Sequence, residues 1–167
     1  YVLICIFSGI AQSIQPIVSS NYGANMLKRA KKSFVYGFLT SVIFGILSYI
    51  FVYIFAENLS KLFTDGDIEL INITAHGMRV YFIGCMFMAF NIVTIYFFQS
   101  VNKAKKSILI SMSSGIIFVI LGFLILVPKL NILGVWLVFP FAEMLGFLVC
   151  IIVIFRNNLK NKEELIV

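Results

Sequence analysis

Glu143 is the only acidic residue deep in any apolar run of this 167-residue chain, and it lies three positions after Pro140. A carboxylate in hydrocarbon costs roughly 2.5–3.5 kcal/mol on insertion scales. Glu143 is therefore expected to face a cavity or the interior of a helix bundle, or to carry a proton. In that setting it is a candidate for binding and releasing a proton; the plainer alternative is a neutral acid hydrogen-bonded to a neighbouring helix. A second polar group sits near the N-terminus. Gln12, Gln15 and Ser19 follow i, i+3, i+7 and share one helical face. Pro16 lies beside them and lacks the N–H that would close the bond one turn back. A kinked helix with amides and a loose carbonyl can line a polar cavity; interhelical hydrogen bonding is the alternative. Asn91 and Thr94, at i, i+3, form a third polar pair, suited either to the same cavity or to packing.

These groups need elements to hold them, and the composition says what kind. The chain is 61% hydrophobic and 12% charged, with a mean hydropathy of +1.04. A soluble domain carries about 25% charged residues, so the bilayer is the expected solvent. A helix needs about 20 apolar residues to cross the hydrocarbon core. Five segments qualify, at about 1–20, 34–56, 80–99, 108–127 and 132–155. Their β-branched content would favour strands in water, but their length and lack of alternation do not, and in lipid a helix satisfies its own backbone. The expected fold is all-α: a polytopic transmembrane helix bundle in a single domain, with a tail over 156–167.

Charge gives the spans an orientation. Lys28, Arg29, Lys31 and Lys32 lie between spans one and two; Lys103, Lys105 and Lys106 between three and four; Arg156, Lys160 and Lys162 after span five. The other two connections are acidic or nearly neutral. The positive-inside rule puts the basic connections and the C-terminus in the cytoplasm. The net charge of +6 is thereby explained without nucleic acid, because the basic residues sit in short clusters between apolar runs. Lys28-Arg29-Ala30-Lys31-Lys32-Ser33 echoes Asn102-Lys103-Ala104-Lys105-Lys106-Ser107.

Local signals refine the connections. Gly23 is expected to stop span one in the left-handed region. Thr64-Asp65-Gly66-Asp67 reads as a turn, Asp67 as the cap of a helix starting at Ile68, and Ile68 to Met78 as an amphipathic segment lying at the outer interface. Trp136 and Tyr81 fit interfacial anchors. Cys5, Cys85 and Cys150 are far apart and show neither metal spacing nor a disulfide framework. No hydrolase, nucleotide or metal motif appears, so no enzyme and no cofactor is expected. The sequence begins at Tyr1 inside an apolar run, and is read as a piece whose N-terminal portion is missing.

The segment from Gln15 to Ala24 (QPIVSSNYGA), followed by Lys28-Arg29, resembles the QP…NYGA…KR stretch of the multidrug and toxic compound extrusion (MATE) family. Leu62-Phe63-Thr64-Asp65, Tyr96-Phe97-Phe98-Gln99, Gly134-Val135-Trp136 and Pro140-Phe141-Ala142-Glu143 match in family order. The resemblance implies a twelve-helix, two-lobe transporter of which this chain supplies helices eight to twelve, part of the C-terminal lobe. It implies export of small organic molecules, organic cations among them, coupled to H⁺ or Na⁺ antiport. Gln15, Pro16 and Asn21 fall on the eighth helix and Glu143 on the twelfth. The implied partners are the lipid bilayer of the cell (inner) membrane, the substrates and the missing N-terminal helices. Some members carry an acidic cation-binding residue in the tenth helix; span three here has none, which argues against a Na⁺ site of that type. Many have a basic residue early in the eleventh helix, where this chain has Ser113-Ser114-Gly115. Two other readings remain: a flippase of lipid-linked saccharides, disfavoured because no span has a central Lys or Arg, and a non-transporting membrane scaffold subunit. The candidate pathway residues are Gln12, Gln15, Pro16, Ser19, Asn21, Asn91 and Glu143.

Overall fold

The structure, a computed structural model, describes residues 2–64 and 67–163, with side chains as far as 156. The turn expected over 64–67 and the side chains of Lys160 and Lys162 therefore lie wholly or partly outside the described residues. Six α-helices follow one another: α1 (Val2–Gly23), α2 (Leu27–Lys61), α3 (Ile68–Tyr81), α4 (Ile83–Ser100), α5 (Ala104–Met112) and α6 (Phe118–Glu163), with a π-helical turn, Ser113–Ile117, between the last two. No strand occurs among the described residues.

Two turns end their helices in the same way. Asn25 and Asn102 have φ of 59° and 56°. The amide after each reaches back to close the helix: Met26 donates to the Asn21 carbonyl and Lys103 to the Phe98 carbonyl, while Asn25 donates to Tyr22 and Asn102 to Gln99. This is the paired-bond stop that a left-handed residue permits, and Asn tolerates that region better than other residues with a side chain. The stop of α1 is thus Asn25 and not Gly23. The echoed basic motifs also fall in different registers: Ala30 is the fourth residue of α2, Ala104 the first of α5.

The long α2 is inside-out. Its buried positions, among them Gly37, Ser41, Gly45, Ala56 and Ser60, are small, whereas Ile43, Leu47, Phe51 and Ile54 point outward. Lipid tails are as apolar as leucine, so helices associate by close contact through small residues rather than by hiding large ones. Gly37 lets Ile14 of α1 in, and Gly45 lies against the backbone of Met86 in α4.

Along this same face α2 runs antiparallel to α3 and α4. Phe34 meets Phe97, Phe38 meets Phe90, and Ser60 donates to Met78 Sδ at 3.7 Å. The Asp67 cap is present, its carboxylate accepting from the amides of Glu69 and Leu70. The expected interfacial placement of Ile68 to Met78 is overturned. Phe82 between α3 and α4 keeps helical φ/ψ of −72° and −10°, so α3 prolongs the third span. Its amphipathicity comes from packing Ile71 and Ala75 against protein, not from floating on a membrane surface. Tyr81 and Trp136 also pack on protein: Tyr81 stacks on Phe139, and Trp136 covers Gly77.

Residues 104–156 form one apolar helical unit of 53 residues, about 80 Å if straight against a hydrocarbon core of about 30 Å. It folds back at Asn131, whose φ of 50° and ψ of −126° break the helix just after Pro128. Gly134 then lies against Leu126 and Val127, Gly122 against Val138 and Phe141, and Gly146 against Ser114. Pairs straddling the break this evenly define an antiparallel hairpin, so this unit supplies two limbs rather than one. At the centre stands α4, which touches every other α-helix and contributes Cys85, Met88, Ala89 and Phe98 to two buried clusters.

Candidate functional site

The second limb of α6 runs alongside α4. On α4, Asn91, Thr94 and Phe98 follow i, i+3, i+7 and are all buried. On α6, Glu143, Gly146 and Cys150 repeat that spacing. The two stripes face each other. Asn91 Nδ2 donates to Glu143 Oε2 at 2.7 Å and to the Glu143 backbone carbonyl at 2.9 Å. Cys150 Sγ donates to Asn91 Oδ1 at 3.3 Å. One buried amide thus ties three acceptors and donors on the neighbouring helix together, and such a network is favourable in lipid only because its members are partnered.

Gly146 makes the contact sterically possible. A Cβ there would sit 2.9 Å from Asn91 Nδ2 and 2.6 Å from the Cβ of Ser114. Ser114 belongs to the π-helical turn of the first limb, where Ser113 and Ser114 return their hydroxyls to the carbonyls of Leu109 and Ile110. A π-turn widens a helix locally and often marks a functional position. Three segments therefore converge at Gly146: α4, the π-turn and the second limb of α6. Glu143 itself is half-buried, open on one side to its surroundings.

The polar residues of α1 are placed elsewhere. Gln12 Nε2 donates to the Tyr96 hydroxyl of α4 at 3.2 Å. Gln15 is half-buried, Pro16 and Ser19 are exposed, and the helix continues through Pro16. Asn21 is half-buried and returns its amide to the Ile17 carbonyl at 2.7 Å. Among the described residues no Cα of α1 lies within 8 Å of one in α6. Tyr96 and Asn91 are about 140° apart around α4. The structure therefore joins Asn91 to Glu143 and Gln12 to Tyr96, but does not bring Gln12 or Gln15 to Glu143. Tyr96, Gly146, Cys150 and Ser114 were not singled out as site residues from the sequence. Glu143-Gly146-Cys150 has the same spacing that drew attention to Gln12-Gln15-Ser19, and that was the available signal. Among the described residues no group of His, Cys, Asp and Glu is clustered to hold a metal.

The family model described as MatE matches residues 1–124; Gln12 through Asn91 lie within that range and Glu143 beyond it. A MATE multidrug transporter, DinF-BH, solved in complex with a ligand is 32% identical, with a TM-score of 0.84 over 92% of this chain and 34% of that one. A multidrug resistance MATE family transporter of the MOP superfamily, in an inward-facing conformation, is 18% identical, with a TM-score of 0.83 over 89% of this chain and 35% of that one. A MATE crystallised in complex with MaL6 is 18% identical, with a TM-score of 0.81 over 88% and 34%. The last two likenesses speak for the fold alone. No curated protein matches the sequence. The chain spans about a third of the length of the solved chains it matches.

Proposed function

The chain belongs to the MatE family, and from that premise we propose that its five spans form part of a secondary antiporter that exports small organic molecules, organic cations among them, across the cell membrane. The basic connections and the C-terminus face the cytoplasm in this reading, as the charge distribution requires. The ligand of the DinF-BH complex is the first substrate to test, because that transporter is 32% identical to this chain.

The observation that carries the reading is the bond from Asn91 to Glu143. A hydrogen bond to an ionised carboxylate is roughly twice as strong as one to its neutral form. Loading and unloading Glu143 therefore changes how firmly α6 is held to α4. A contact whose strength depends on a bound ion is what alternating access needs in order to link helix movement to a gradient. Each charge moved inward releases about 2.3 kcal/mol per 100 mV.

We take the coupling ion to be H⁺. Hard cations gather several oxygen ligands, whereas Glu143 Oε2 receives an amide N–H and the adjoining Asn91 oxygen receives a thiol. A proton needs one oxygen only. The test is transport of the DinF-BH ligand by the protein expressed from its own gene, in proteoliposomes with an imposed pH or Na⁺ gradient. Wild type should respond to the pH gradient, and Glu143→Gln should lose that response while still inserting. Response to Na⁺ alone would replace the proton by Na⁺. A Glu143→Gln protein that assembles poorly yet transports normally would favour a scaffold role for this residue.

A further inference from the structure

Cys150 stands two helical turns beyond Glu143 on α6, about 10 Å along the axis. One amide still reaches both. Helix carbonyls point toward the C-terminus and Cα–Cβ bonds lean toward the N-terminus. The Glu143 carbonyl and the Cys150 thiol therefore converge on Asn91 from either side. Gly146, between them, leaves the amide its room.

The thiol has little choice of acceptor. Cys150 is fully buried in a cluster with Val18, Phe98, Ile110 and Val153. The Thr94 hydroxyl lies near the sulfur but outside hydrogen-bonding geometry. Asn91 Oδ1, at 3.3 Å, is the side-chain oxygen the thiol reaches.

That bond bears on the whole site. A side-chain amide has one oxygen and one NH₂ group, and a half-turn about its last bond exchanges them. As it stands, Nδ2 serves Glu143 Oε2 at 2.7 Å and the Glu143 carbonyl at 2.9 Å, while Oδ1 accepts from the thiol. Turned over, the amide would bring Oδ1 to the same two Glu143 oxygens and take the acceptor away from the thiol. Three oxygens would then face one point. Without a cation they repel; with one they are the beginning of a hard-cation ligand set.

We propose that Cys150 is a positioning residue that sets ion selectivity: by holding Asn91 Oδ1 it keeps the amide nitrogen on Glu143, and so bars Na⁺ from a site left open to H⁺. The inference rests on the reading of Glu143 as the ion-exchanging group. No fixed cation nearby does the excluding. The other titratable side chains within electrostatic reach of the acid are Tyr81 at the end of α3 and Cys85 of α4, neither of which carries a charge near neutral pH. The π-turn offers only Ser113 and Ser114.

The test is binding of radioactive Na⁺ to the detergent-purified protein expressed from its own gene, beside transport in proteoliposomes under a pH or a Na⁺ gradient. Cys150→Ala should bind Na⁺ about 3- to 10-fold more tightly than wild type, the span of one hydrogen bond, and lose that gain when Glu143→Gln is added. Its transport should begin to respond to Na⁺. Cys150→Ser keeps a donor and should restore the wild-type preference, and Cys5→Ala, on α1, should match wild type. If Cys150→Ala fails to fold, Cys150→Val, close to the thiol in size, takes its place. Unchanged Na⁺ affinity in a folded variant without the donor overturns the proposal, as does an equal gain in Cys150→Ser. So does Glu143-dependent Na⁺ binding by wild type, a measurement that needs no change at position 150. A wild type that ignores both gradients would count against the antiport reading, while the binding measurement still decides the role of Cys150.

Discussion

Asn91 Nδ2 lies 2.7 Å from Glu143 Oε2 and 2.9 Å from the Glu143 backbone carbonyl, so one amide holds both the side chain and the main chain of the acid. Asn91 therefore holds α6 by one bond that does not depend on the charge of Glu143 and by one that does. Changes on the two sides of this bond should have different consequences.

Asn91→Leu is isosteric enough to fill the space but donates nothing. It leaves the Glu143 carboxyl and the Cys150 thiol without their amide partner. Loss of a buried partner costs about 1–3 kcal/mol, read as a lower unfolding temperature in detergent. Glu143→Gln keeps an acceptor for Asn91 and should cost less than about 1 kcal/mol, yet remove the pH response of transport. A pair of variants with the reverse pattern would sink the assignment of Glu143 as the ion-exchanging group.

Gly146→Ala probes the same contact from the backbone. Its Cβ would meet Asn91 Nδ2 at 2.9 Å and the Ser114 Cβ at 2.6 Å, whereas nothing lies within 4 Å of a Cβ at Gly9. Overpacking of this kind costs about 1–3 kcal/mol. Gly9→Ala, in an open helical position, should be neutral or stabilise by up to about 1 kcal/mol. Thermal unfolding of the two variants side by side checks this, and equal shifts would contradict the packing described.

What the sequence made legible follows from how the bilayer filters it. Span lengths and the cost of Glu143 are properties of the chain against lipid, so they could be read without a partner. Gly146 and Cys150 matter only because of Asn91 opposite, and no sequence signal states which helices face each other. The segment from Ile68 is ambiguous in the sequence for a physical reason. A helix with one apolar face looks the same whether that face meets lipid headgroups or, as here, the far end of α2. Gly23 was the expected helix stop because glycine is the usual left-handed residue; Asn25, two positions later, takes that role instead.

Arg79 clamps α3 to the C-terminal end of α2. It pairs with Glu57 Oε1 at 3.1 Å, donates from Nε to the Tyr53 carbonyl at 3.3 Å, and lies 5.5 Å from the Tyr53 ring centroid. The ion pair is exposed, at 34% and 57% of the two side chains, so Glu57→Gln should cost no more than about 0.2–1 kcal/mol and lose its effect in high salt. Arg79→Ala removes the carbonyl and ring contacts as well and should cost more, with a part that salt does not screen. Unfolding measured at low and high salt separates the two.

Asn131 decides whether Glu143 meets Asn91 at all. The hairpin depends on a φ of 50° and ψ of −126° at this one residue, a conformation that costs a residue with a Cβ of order 1–3 kcal/mol. Glycine adopts it freely. Asn131→Gly is therefore expected to leave the hairpin intact and to stabilise by about 1 kcal/mol, after some of the gain is lost to the greater freedom of the unfolded chain. Asn131→Val has a branched Cβ at the same φ and should weaken the fold-back. Because Lys129 sits beside the turn, the checking measurement is cross-linking across the hairpin. A cysteine pair at Gly122 and Val138, which the structure brings into contact, should oxidise readily in the glycine background and poorly in the valine one. Equal cross-linking in both would mean that the limbs are held together by their packing alone and that Asn131 merely accommodates it.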